Sequence, residues 1–119
     1  MILAALMLMQ TALPLESIAT YAREDWDRTI TRCDTLIAHP SDPEAVSAGV
    51  SRSDADLPAA IDACHDAVAA DPGNPRLNYQ LARAYGYSGL HAEGQPYRDA
   101  ALAAGYPQSL FVVGYIRVE

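Results

Sequence analysis

Apolar residues return at three- and four-residue steps through most of the chain, the period of helices that bury one face. Between Glu24 and about Ala38, Trp26, Ile30, Cys33, Leu36 and Ile37 fall on one stripe, and Glu24, Asp25 and Asp27 crowd the first turn, where they complement the helix dipole. The run His39-Pro40-Ser41-Asp42-Pro43 stops this helix, because the residue before each proline is pushed out of the α region. Residues 40–56 are rich in Ser, Asp, Pro and Gly and read as a long connection anchored by Val46 and Val50, with a short helical turn near Glu44 to Ser47. Asp56 then caps a helix over Leu57 to Ala70, with Pro58 in its first turn and Leu57, Ile61, Cys64 and Val68 on one face.

The cluster Asp71-Pro72-Gly73-Asn74-Pro75 ends that helix and starts another, with Asn74 as cap and Pro75 at the first helical position. Leu77, Leu81, Ala84 and Tyr85 form its stripe as far as Tyr87, and Ser88-Gly89 breaks it. A following helix from His91 to Ala104 carries Tyr97, Ala100, Ala101 and Ala104, Gly105 closes it, and Pro107 opens a last helix in which Leu110, Val113 and Gly114 should pack.

The apolar run Met1 to Leu13 is too short for a membrane span of ~20 residues but suits the core of a signal peptide. Ser17 and Ala19 place small residues where a signal peptidase reads, so cleavage before Thr20 is expected. No Lys or Arg precedes Arg23, so the positive leader of a signal peptide is missing. The alternative is an N-terminal apolar helix, an anchor if uncleaved. The chain therefore divides into 1–19, signal-like, and 24–119, helical: a hairpin with a long loop over 24–70, a repeat over 74–105 and the first helix of another over 107–119.

Composition adjusts this picture in three ways. The apolar half of the chain is mainly Ala, Leu and Val, which favours thin, alanine-packed helices. A net charge of -7, with eight Arg, none adjacent, and no Lys, argues against nucleic acid, which needs clustered cations. The two cysteines, Cys33 and Cys64, do not have metal-ligand spacing, and an even pair in a small exported domain is most simply a disulfide; two buried free thiols are the alternative. A periplasmic or secreted location is expected.

Ala67-Val68-Ala69-Ala70 matches Ala101-Leu102-Ala103-Ala104 at an offset of 34 residues, and past a shortened turn Leu81-Ala82 matches Val113-Gly114. A helical unit at this period marks a solenoid. With Leu81, Ala82 and Tyr85 on one helix and Ala101 late in the next, the chain resembles the tetratricopeptide family. Asn78, Gly94 and Arg98 stand where that family has Trp, Ala and an aromatic, with Tyr97 beside the last. The stretch from Ala100-Ala101 through Gly105-Tyr106-Pro107 to Val113-Gly114-Tyr115 resembles the related Sel-one-like repeat. The resemblance spans about residues 57–117 and implies an all-α fold, an α-α superhelix of antiparallel hairpins, that binds a protein or peptide without catalysis.

Arg76, Tyr79 and Arg83 point away from Leu77, Leu81 and Tyr85 and are the expected groove, the arginines holding a carboxylate and Tyr79 a rigid contact. No cofactor, metal or catalytic residue is expected. Asp62 and Asp66, one turn apart, read as a solvated face rather than an acid/base pair. An accessory segment of a larger enzyme or envelope protein is the second reading. A metal-dependent hydrolase using His39, His65 and His91 is a remote third, since no two of them share a helix turn.

Overall fold

Side-chain caps and glycine stops place the helices where the local chemistry demands them. The computed structural model describes residues 19–110, all helix, turn or extended segment with no strand among them. The α-helices are α1 (Arg32–Ile37), α2 (Leu57–Ala70), α3 (Pro75–Tyr87) and α4 (His91–Ala103), with single 3-10 turns at Arg23–Asp25 and Arg52–Asp54. A further helical turn opens at Pro107 and reaches Leu110.

The Asp56 carboxylate accepts the Ala59 amide at 3.2 Å, and the Asn74 side chain accepts the Arg76 amide at 3.1 Å, so α2 and α3 begin at the expected caps. Both α3 and α4 end in the same glycine motif. After α3, Gly89 has φ 76°, its N–H donates to the Gly86 carbonyl and the Leu90 N–H to that of Tyr85. After α4, Gly105 has φ 74°, with Gly105 to Leu102 and Tyr106 to Ala101 as the equivalent bonds.

Small residues set the packing. The main core joins Cys33, Ile37, Ala60, Cys64, Ala67, Leu77, Leu81 and Ala84, with Leu57, Ile61, Val68 and Tyr85 around its edge. The innermost side of α2 is thus Ala60, Cys64 and Ala67, and the larger residues of its expected stripe flank it. A Cβ on Gly94 would come within 2.9 Å of the Tyr85 Cβ, so glycine there lets α4 lie close against α3. A second cluster places Tyr79, Ala101 and Tyr106 together with Tyr21 beside them.

The N-terminal part differs from the periodicity. The helix expected over Glu24 to Ala38 exists only as Arg32–Ile37; residues 27–31 are non-helical and Ile30 is 56% exposed. The physical reason is a capping box: Thr31 accepts the Asp34 amide, and the Asp34 side chain accepts the Thr31 N–H at 2.8 Å, which starts the helix there. Upstream, Asp27 and Thr29 direct their carbonyls to α3 rather than to a helix of their own. Residues 44–47 form turns, not helix; Asp42 accepts the Glu44 amide at 2.9 Å, and the loop closes through a Val50 to Ala38 main-chain bond of 2.8 Å.

The segment from Ala19 to Thr31 lies across the helical body as a strap. Ala19 N–H donates to the Ala103 carbonyl at 2.8 Å, Tyr21 meets Tyr106 edge-on at 5.4 Å, and the Trp26 ring lies over Gly73. At Gly105 a Cβ would overlap the Ala19 carbonyl oxygen. With the positive φ as well, Gly105→Ala is expected to destabilise by about 2 kcal/mol, read as a lower urea midpoint. The same substitution at Gly86, where a Cβ meets nothing within 4 Å, should be tolerated.

Leu110 is 40% exposed. Val113 and Gly114, the Met1 to Leu13 run and the Ser17 position lie outside the described residues.

Candidate functional site

Arg76, Tyr79 and Arg83 share one face of α3, as their spacing predicts. That face is not an open groove. All three are buried, covered by the strap and by the 38–50 loop, so their assignment as exposed partner contacts is corrected.

Arg76 sits two residues inside the α3 cap and reaches four acceptors. Its Nε donates to Asp34 Oδ1 at 2.8 Å, Nη1 to the Asp27 carbonyl at 2.8 Å, and Nη2 to the Thr29 carbonyl at 3.3 Å and Asp34 Oδ2 at 3.4 Å. The side chains of Arg76 and Asp34 are 3% and 0% exposed. Asp34 also accepts from Gln80 Nε2 at 3.0 Å and from the Thr31 hydroxyl at 2.9 Å. Burial alone would raise the Asp34 pKa, yet the Arg76 guanidinium, the Thr31 amide and Gln80 hold it below the usual carboxylate value.

Arg83, two turns further along, donates to the Ile37 carbonyl and, at 2.9 Å, to the Val50 carbonyl, the two ends of the 38–50 loop. Its guanidinium lies 4.8 Å from the Tyr87 ring centre, and that of Arg52 lies 4.9 Å from the same ring. Two buried arginines on one helix face thus hold main-chain carbonyls of an extended segment, and one carboxylate fixes the register.

A third anchor joins the loop to the end of α4. The Tyr106 hydroxyl donates to Asp42 Oδ2 at 2.6 Å in a buried pocket shared with Tyr79. Burial pushes the Tyr106 and Tyr79 hydroxyls well above the ordinary tyrosine pKa, and raises Asp42 despite the bonds it accepts from Tyr106 and Glu44. Tyr21 is pushed up to about 12 by burial and by Glu44.

Folded Asp42 therefore binds its proton more tightly than unfolded Asp42. Its contribution to stability is complete below the unfolded pKa and is lost as pH rises through the folded value. Urea midpoints of wild type and Asp42→Asn at pH 4 and pH 7 test this: the variant should gain on wild type as pH rises, and a pH-independent difference would contradict it.

Glu44 holds the strap from the loop side, taking both Arg23 nitrogens at 2.9 and 2.6 Å and Arg28 at 3.4 Å. The Arg23 bonds, outweighing partial burial, lower its pKa. Cys33 and Cys64 form a disulfide between α1 and α2, both fully buried.

No protein-family model, curated protein or solved structure matches this chain. The site is therefore read from its own chemistry.

The histidines stay apart. His39 accepts the Ser41 amide on Nδ1 at 2.9 Å and is held below its usual pKa by burial and by Arg83. His65 bonds the Tyr85 hydroxyl and packs edge-on against Tyr97, and His91 is exposed at the start of α4. Among the described residues no three His, Cys, Asp or Glu side chains are grouped to hold a metal. Asp62 and Asp66 are exposed on α2.

Asp34, Gln80, Asp42, Glu44 and Tyr106 were not singled out by spacing. A local signal existed for Asp34, because Thr31-x-x-Asp34 is the capping-box pattern and marks both the helix start and a carboxylate turned inward. Asp42 with Tyr106 and Glu44 with Arg23 join residues 64 and 21 positions apart and leave no local trace.

Proposed function

We infer that the chain is a non-enzymatic protein-protein interaction module of tetratricopeptide-like or Sel-one-like hairpins, working in an oxidising compartment outside the cytoplasm. What supports this reading is a recurring pattern of a buried alanine, a turn and a helix that begins with proline. Ala67 and Ala101 are each buried late in the second helix of a hairpin, at 9% and 0% exposure, and each helix is followed by a turn into a helix beginning with proline, Pro75 or Pro107. Small residues at these positions would let successive hairpins stack, and stacked hairpins present extended surfaces to proteins rather than a pocket to a substrate.

The buried Cys33–Cys64 bond supports the compartment, since glutathione and thioredoxin keep such pairs reduced in most cytosols. Among the described residues no helix is long and apolar enough to cross a membrane. Among the described residues, cleavage before Thr20 would remove the Ala19 anchor and leave those of Tyr21, Arg23, Trp26, Asp27 and Thr29 in place.

Cross-linking of the tagged full chain in intact cells tests the module. One discrete complex with a different protein is expected from the envelope or secreted fraction; recovery of this chain alone overturns the reading. Free-thiol titration of the unfolded, unreduced protein from the same fraction should give none, and two reactive thiols would remove the compartment.

A further inference from the structure

The acceptors that the two buried arginines of α3 hold all come from one stretch, residues 19–50. Arg76 takes the carbonyls of Asp27 and Thr29 and the carboxylate of Asp34; Arg83 takes the carbonyls of Ile37 and Val50. This stretch has its own internal ties, the Arg23–Glu44 pair, the Thr31–Asp34 box and the Val50 to Ala38 bond, so it is built to move as a unit. Only two covalent links join it to α2, α3 and α4. One is the polypeptide through Ser51 to Asp56, five of whose six residues are exposed; the other is the Cys33–Cys64 bond.

The geometry points to a redox-controlled exchange: with Cys33–Cys64 reduced, residues 19–50 of one copy seat on α3 of a second copy and the reverse, forming a reciprocal dimer, while the oxidised chain keeps its segment to itself. Carbonyls can be offered by any extended peptide. A carboxylate held by a Thr two positions beyond the second carbonyl, together with Tyr21 for Tyr106 and Trp26 for Gly73, is offered as a set by another copy of this segment. A second copy is therefore the occupant. Exchange remakes the same contacts in trans and breaks none permanently, and a short exposed hinge favours it.

Reduction needs a dithiol reductant, which passes two electrons and two protons to the disulfide. The S–S bond breaks to leave thiols on Cys33 and Cys64, and the reductant closes to its own disulfide. Both cysteines are fully buried, but an open depression of about 260 Å³ is lined by Thr31 and Arg32 beside Cys33 and by Ala63, Asp66 and Ala67 around Cys64. Neither cysteine lines the depression, so reduction requires α1 to open there. The inference goes beyond the interaction-module reading and stands whether or not a foreign partner exists.

The test uses the full chain in two isotopic forms, ¹⁴N and ¹⁵N, mixed in equal amounts at ~1 mM, the range in which a trans segment competes with its own copy. The mixture is reduced, reoxidised and separated without reductant. The expected product is a covalent dimer whose mixed-isotope bridges join Cys33 of one chain to Cys64 of the other. Its helical circular dichroism and the emission of Trp26, the single tryptophan, should match the monomer. A mixture never reduced should give no mixed bridges.

Three results would overturn the proposal. The first is same-chain bridges only. The second is mixed bridges in which Cys33–Cys33 and Cys64–Cys64 are as abundant as Cys33–Cys64, the mark of random oxidation. The third is concurrent loss of helix and Trp26 signals on reduction, which would mean that the segment does not separate from a folded body.

Discussion

Replacing Arg76 by leucine is expected to lower the free energy of unfolding by about 3–5 kcal/mol, seen as a lower urea midpoint at nearly constant slope. The size follows from what is left behind. Asp34 is completely buried and loses its cationic partner, and the Asp27 and Thr29 carbonyls lose the donors that hold them on α3. Asp34→Leu should be costly for the converse reason, since Arg76 would keep its charge with carbonyls alone. The double replacement Asp34→Leu with Arg76→Leu should cost less than the sum, because neither charge is stranded. A value for Arg76→Leu within about 1 kcal/mol of wild type would mean that the pair does not fasten the strap.

Acid should expose the same bond. The folded Asp34 pKa is lowered, so its stabilisation is present above the unfolded carboxylate pKa and is lost as pH falls through the folded value. Asp42 runs the other way, its stabilisation being complete at low pH. Only the Asp34 component depends on Arg76. Without Arg76, burial is opposed only by Thr31 and Gln80 and the folded Asp34 pKa rises, so Arg76→Leu should shrink or reverse the Asp34 part of the acid-induced loss of stability while leaving the difference between Asp42→Asn and its parent unchanged.

The three long helices were legible because their signals are local. Asp56 and Asn74 cap, Pro58 and Pro75 occupy first turns, Gly89 and Gly105 take the left-handed stop, and each signal lies within four residues of the bond it makes. The apolar stripe over Trp26 to Ile37 misled because its period is shared by segments that bury alternate groups in other ways. Trp26 lies on Gly73, Ile30 faces solvent, and only Cys33, Leu36 and Ile37 pack as helix residues. Arg76, Tyr79 and Arg83 do share a face, as counting around the helix requires. What covers Arg76 and Arg83 is supplied from 33 to 49 residues away, largely through main-chain carbonyls, which carry no sequence signature, and Tyr79 is covered by the rings of Tyr21 and Tyr106.

Removing the disulfide by Cys33→Ala with Cys64→Ala is expected to destabilise by about 3–4 kcal/mol, the chain-entropy value for a loop of 31 residues. For a domain of this size that is a fall in melting temperature on the order of 15–25 °C. Alanine is preferred to serine because both sites are fully buried and would strand a hydroxyl. Full reduction of the wild type should give a similar loss, whereas the double-alanine variant should be indifferent to reductant; an unchanged wild-type midpoint after full reduction would refute the assignment. The bridge matters beyond loop closure because α1 has six residues, too few to persist without tertiary contacts. It is tied to α2 through Cys33 and to α3 through Asp34, on adjacent residues of one turn. With either tie intact, α1 stays within reach of its remaining contacts on α2 and α3. Adding Arg76→Leu to the double-alanine variant should therefore cost more than the two changes separately, and Trp26 emission should shift before the helical signal of α2 to α4 is lost.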